Sequence, residues 1–104
     1  MIRVTVTYLE DNDKTFDLAY YKGSHAALVI EKLAPLGLQG FSIETPADQN
    51  RVFPIKAHLL FPSMKEFEEA MAIAGDELGD DSAKCSDIQP FIEISEPAFS
   101  WEAS

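Results

Sequence analysis

Positions 2 to 8 alternate, with Ile2, Val4, Val6 and Tyr8 separated by Arg3, Thr5 and Thr7. A period of two with β-branched side chains predicts a half-buried strand. After the polar loop Glu10-Asp11-Asn12-Asp13 the period changes. Leu18, Tyr21, His25, Leu28, Val29 and Leu33 fall at helical spacing, while Lys22, Ser24, Glu31 and Lys32 make the opposite face. Asp17 is placed to accept from the first free helical N–H groups, so it predicts the N-cap. Phe16 and Tyr21 flank it at hydrophobic-staple spacing, and Pro35 and Gly37 end the helix.

Leu38 to Thr45 reads as a second strand and Val52 to Phe61 as a third, separated by the turn cluster Pro46-Ala47-Asp48-Gln49-Asn50. Pro54 implies an edge position or a strand that begins after it. Ser63-Met64-Lys65-Glu66 is a capping box. It opens a helix whose inward stripe is Phe67, Ala70, Met71, Ala74 and Leu78, with Gly79 as its expected stop. Ile88 to Glu96 reads as the last strand, closed by Pro97, with Ile88, Ile92 and Ile94 on one face and Gln89, Phe91 and Glu93 on the other.

The order β-α-β-β-α-β predicts an α+β fold of the ferredoxin-like, split βαβ kind, an antiparallel sheet with two helices on one face. Residues 1–96 form this single domain and 97–104 a C-terminal tail. Alternation turns Thr5, Thr7, Lys56, His58, Leu60 and Phe91 to the other face. That mixture is too apolar for solvent and too polar for a private core, which predicts a homodimer packed sheet to sheet. Phe99 and Trp101 in the tail imply docking, on the partner subunit or on the home sheet edge.

Charge removes several function classes. Eighteen acidic residues against eight basic give a formal net charge of −10, which disfavours nucleic acid and anionic membrane surfaces. No run reaches the roughly 18 apolar residues of a membrane span, and the N-terminus alternates instead of forming a secretory core, so a cytoplasmic location is expected. The single cysteine, Cys85, makes neither an internal disulfide nor a zinc motif. Lys84 beside it would lower its pKa, but with no base or second cysteine alongside it reads as a structural thiol. There is no phosphate loop, nucleophile elbow or dinucleotide fingerprint, so no cofactor is expected.

His25 is the candidate catalytic residue. It lies in the inward stripe, where an imidazole facing a pocket can move protons. The competing reading is a core histidine with both nitrogens satisfied locally. Tyr21 shares its face; Tyr20 points about 100° away and reaches toward the rim; Phe61 faces the helices from the third strand. These three are the expected substrate-binding residues, around a cavity between the first helix and the sheet. His58 turns away from that face, and with one histidine and no convergent carboxylate no metal site is assembled.

The residues carry a family resemblance. Phe16-Asp17 followed by Tyr20-Tyr21, His25 and Leu28-Val29 resembles the first-helix signature of the EthD family, named for ethyl tert-butyl ether degradation. His58-Leu59-Leu60-Phe61 with Ser63 and Phe67, and Asp87-Ile88 with Ile92-Glu93-Ile94-Ser95-Glu96, are similar to its later segments. The resemblance implies a dimeric α/β barrel and a small catabolic protein. Some members stand beside a cytochrome mono-oxygenase for ethers, and fungal relatives are linked to polyketide dehydration. Many members carry Pro where this chain has Ala27, which predicts a straighter helix here. Many also carry Asp where this chain has Pro62, leaving Ser63 to cap by itself.

Three functions remain. The first is a cofactor-independent enzyme, of oxidoreductase or lyase/isomerase type, binding a small apolar or aromatic molecule with His25 as general acid/base. The second is a non-catalytic binding or accessory protein for an oxygenase system. The third is a structural dimer, which would show a filled core where the others need a cavity.

Overall fold

A computed structural model describes all 104 residues. Strand β1 (Ile2–Tyr8) leads into a helical body of three segments: α1 (Leu18–Tyr20), a π-helical turn (Tyr21–His25) and α2 (Ala26–Leu33). A 3₁₀ turn (Ala34–Leu36) follows, then β2 (Gly40–Glu44), β3 (Ile55–Phe61), α3 (Met64–Ser82) and β4 (Phe91–Ser95). The strands form one antiparallel sheet in the order β2-β3-β1-β4, the ferredoxin-like arrangement expected from the alternation. No helix is long and apolar enough to cross a membrane.

The register fixes which residues meet the helices. Val4 pairs with Leu59 and Ile94, and Val6 with Ala57 and Ile92, so these share the helix-facing side. Ile55, Ala57, Leu59 and Phe61 are all buried there, against Val29 and Leu33 of α2 and Ala70, Ala74 and Leu78 of α3. Phe61, Leu33 and Ile55 are fully enclosed, each side chain contributing about 1.5–3 kcal/mol by leaving water.

The caps form as expected. Asp17 accepts from the Tyr20 backbone N–H at 3.0 Å. The staple pair Phe16 and Tyr21 meets edge to face, with ring centres 5.1 Å apart. Gly37, at φ 107°, takes the left-handed conformation that closes the helical body, while Leu38 donates its N–H back to the Leu33 carbonyl. That bond keeps Leu38 out of the sheet, so β2 starts at Gly40. Ser63 accepts from the Glu66 N–H, and its hydroxyl donates to the Glu66 carboxylate.

Three expectations about elements are corrected, and the alternative left open at Pro54 is decided. α3 does not stop at Gly79 but runs through Ser82, because Gly79 keeps a helical conformation. The first helix is not a regular helix; it widens into a π turn just before Ala27, at a segment containing Gly23. β3 begins only after Pro54. β4 begins at Phe91, not Ile88, because Pro90 has no N–H to give the ladder and the Ile88 N–H bonds to Ser86 Oγ.

Candidate functional site

His25 comes to its position through the π turn. Such turns are rare, occur mostly as single-turn bulges inside α-helices, and are frequent at functional sites. Tyr21 opens the turn and His25 ends it, and their rings stack at 5.2 Å with 13° between planes. Tyr21 is fixed from behind by Tyr8 and Phe16, at ring-centre distances of 5.6 and 5.1 Å. Edge-to-face contacts of this kind are worth about 0.5–1.5 kcal/mol each beyond burial.

The His25 ring is buried, and its Nδ1 lies 2.8 Å from Asp81 Oδ2. Asp81 is buried as well, in the last turn of α3. Its other oxygen, Oδ1, accepts from the Tyr20 hydroxyl at 2.8 Å and lies 3.6 Å from Lys84 Nζ. The His25 and Tyr20 hydrogen bonds hold the Asp81 carboxyl below the usual carboxylate range. An ionised carboxylate only accepts, so Nδ1 of His25 carries a proton and donates it. The bond that the Tyr20 hydroxyl donates to Asp81 pushes the Tyr20 phenol upward.

Nε2 of His25 has no protein partner. No fully buried side-chain nitrogen or oxygen in the chain is orphaned, so Nε2 meets accessible space. The space His25 borders is a cleft of about 200 Å³ between the helices and the sheet. Its wall is mainly apolar: Val6, Val29, Leu33, Phe41, Ala57, Leu59, Met71, Leu78 and Ile92, with Tyr8 and Tyr21 at the His25 side. Burial pushes the Tyr21 phenol well above its ordinary value, so it stays protonated.

Two glycines of α3, Gly75 and Gly79, also border the cleft. Glycine inside a helix costs about 0.5–1 kcal/mol relative to alanine. A Cβ on Gly79 would meet nothing within 4 Å, and one on Gly75 only Met71 at 3.7 Å. Neither is required by close packing, and both leave room in the cleft.

The expected residues separate. His25 and Tyr21 reach the cavity together. Tyr20 does not line it; its hydroxyl sits behind His25 on Asp81. Phe61 faces the helices as expected but packs on Phe67, ring centres 5.5 Å apart, outside the cleft. Asp81 was the residue missed, and the expectation of no convergent carboxylate is overturned. Its signal was present: it continues the Ala74 and Leu78 stripe by three residues, but Gly79 had been read as the helix end. Cys85 is a buried thiol, in keeping with a structural role, but the expected effect of Lys84 on it is corrected. Burial pushes its thiol up to about 11, and Lys84 serves Asp81 instead.

His58 occupies the opposite face, as expected. Its Nδ1 lies 3.1 Å from Thr5 Oγ1 and its Nε2 2.9 Å from Glu44 Oε1. No group of three or more histidine, cysteine or carboxylate side chains comes together as a metal site.

Solved structures share this architecture. An EthD-like protein from Ralstonia eutropha is 27% identical, with a TM-score of 0.81 over 96% of this chain and 94% of that one. The chain resembles the EthD-like proteins. An ethyl tert-butyl ether (EthD) family protein from Bacillus halodurans matches at 18% identity and a TM-score of 0.66, over 93% of this chain and 98% of that one. SnoaB, a cofactor-independent oxygenase from Streptomyces nogalater, shares the fold at 12% identity and a TM-score of 0.71, over 95% and 93% of the two chains. No family model and no curated protein matches the sequence. The EthD-like signature of the first helix falls on the site itself: Asp17 caps the helix, Tyr21 and His25 wall the cleft, and Tyr20 holds the carboxylate behind them.

Proposed function

We propose that this chain is a cofactor-independent enzyme that takes a small apolar or aromatic molecule into the cleft, with His25 as its general acid/base. One observation carries the reading: Nδ1 of His25 is held by a buried carboxylate, while Nε2 is accessible without a protein partner and the residue borders an apolar cleft. A base oriented on one nitrogen and free on the other is poised to take a proton from a bound molecule and return it. The Asp81 charge opposite stabilises the imidazolium that forms. Proton transfer of this kind serves isomerisation, dehydration and the deprotonation that precedes oxygenation. The likeness to SnoaB, named as a cofactor-independent oxygenase, supports the oxygenase branch at the level of fold.

The test uses nitrobenzisoxazole, a flat aromatic C–H acid whose ring opens when a base removes one proton. The protein is expected to open it with saturation, and His25→Ala to lose about 10²–10⁴-fold of that rate. Binding without ring opening would favour the accessory-protein reading, which the apolar lining also supports. A structural dimer without a ligand site is disfavoured by the open cleft.

The same proposal includes a homodimer joined through the outer sheet face. Phe91 on that face is 59% exposed, and the tail aromatics Phe99 and Trp101 are 86% and 77% exposed, so neither docks on its own subunit. A second sheet would cover the face, and the partner subunit offers the tail a place. Light scattering should give a mass near twice 11.5 kDa at micromolar concentration; a single-chain mass would remove the dimer.

A further inference from the structure

We infer that the ligand of the cleft is a neutral, small aromatic compound bearing a hydroxyl that donates to Nε2 of His25: a simple phenol, not a carboxylate or phosphate. The inference rests on the proposed binding and proton transfer at His25 and names the substrate class.

Size comes first. An apolar cavity of about 150 Å³ takes up benzene. This one, at about 200 Å³, has room for one benzene ring with small substituents or a small fused ring. The glycines at 75 and 79 leave two gaps between the α3 side chains Met71, Leu78 and Ser82 along that wall, which suits a flat molecule. The stacked pair Tyr21 and His25 adds aromatic surface at one end.

Charge comes second. No lysine or arginine lines the cleft. Behind His25 lies the Asp81 carboxylate, and the whole chain carries a formal net charge of −10. An anion entering would leave water for a wall with no fixed cation, and an imidazolium at His25 is already balanced by Asp81, which makes entry unfavourable. A neutral molecule meets no such obstacle.

Polarity decides the functional group. Asp81 fixes the proton on Nδ1, so neutral His25 presents Nε2 as an acceptor. What pairs with it is a donor, and on a simple neutral aromatic ring the donor acidic enough to hand its proton to an imidazole is a phenolic O–H, not an aniline N–H. On proton transfer the O–H bond breaks, its electron pair stays on the phenol oxygen, and the proton binds Nε2. The products are a phenolate and an imidazolium, the latter balanced by Asp81 across the ring.

The experiment compares three probes of similar shape, para-cresol, toluene and para-toluate, by calorimetry on the wild-type protein and on His25→Leu. Para-cresol should bind wild type about tenfold more tightly than toluene, the effect of one well-made hydrogen bond, and para-toluate should not bind. In His25→Leu the advantage of cresol over toluene should vanish. Equal affinity for toluene and cresol, or preferred binding of toluate, overturns the phenol assignment while leaving an apolar binding cavity. Failure of all three probes to bind, together with no ring opening of nitrobenzisoxazole, removes the cavity reading and this inference with it.

Discussion

The chain has two histidines, and the structure treats them oppositely. His58 stands on the outer sheet face with Thr5 at one nitrogen and Glu44 at the other. His25 is buried between helix and sheet with Asp81 at one nitrogen and an apolar cleft at the other. A histidine with both nitrogens engaged is a cross-link between strands. A histidine with one nitrogen anchored and the other unpartnered has spare bonding capacity, and a bound molecule is what can use it. His25 is buried and His58 is not, but it is the count of satisfied nitrogens that leaves one of them free to act.

The largest effect should come from removing the ring. His25→Ala should lose about 10²–10⁴-fold in nitrobenzisoxazole ring opening, whereas His58→Ala should retain the wild-type rate within a small factor. Comparable losses in both variants would erase the distinction. Next is the carboxylate. Asp81→Asn keeps the shape but presents an amide that can donate to His25, releasing the fixed tautomer, and the rate should fall on the order of 10²-fold.

Asp81 also predicts a pH signature. Its carboxyl is depressed, first by the His25 hydrogen bond and then by that from Tyr20. A depressed carboxyl stabilises the fold fully above its unfolded value, about 3.9, and less as pH falls through its lower folded value. The melting-temperature advantage of wild type over Asp81→Asn should therefore hold at neutral pH and shrink in strong acid. An advantage that grows as pH falls would contradict the assignment.

Filling the cleft sharpens the comparison from the ligand side. Gly75→Leu should lower toluene affinity by more than about tenfold, roughly the contact of two buried CH₂ groups, without loss of melting temperature. The smallest effect belongs to Tyr20→Phe, which removes one hydrogen bond to Asp81 and should slow ring opening by about tenfold or less.

Much of this was legible because the local rules agree with one another. Asp17, Ser63 and Gly37 act as caps where short polar residues and glycine are expected to. Alternation in β1 and β3 assigned His58 and Phe61 to the correct faces. What alternation does not encode is depth along a strand. Phe61 and Ala57 share a face, yet the cleft opens at Ala57, where a small side chain leaves space, and Phe61 closes the core against Phe67. Asp81 was hidden by glycine. Gly79 reads as a helix end by propensity, but packing of Leu78 and Asp81 against the first helical body carries the helix past it. Tyr20 was assigned to the rim by its angle; that angle instead takes its hydroxyl to the missed carboxylate.

Long-range nitrogen–proton NMR on histidine-labelled protein tests the central claim most directly. In its neutral form His25 should show a protonated Nδ1 and an unprotonated Nε2, and only Nε2 should shift when para-cresol is added, with the His58 signals unmoved. A proton found on Nε2 with Nδ1 bare, or a His25 ring indifferent to every ligand, would contradict the account.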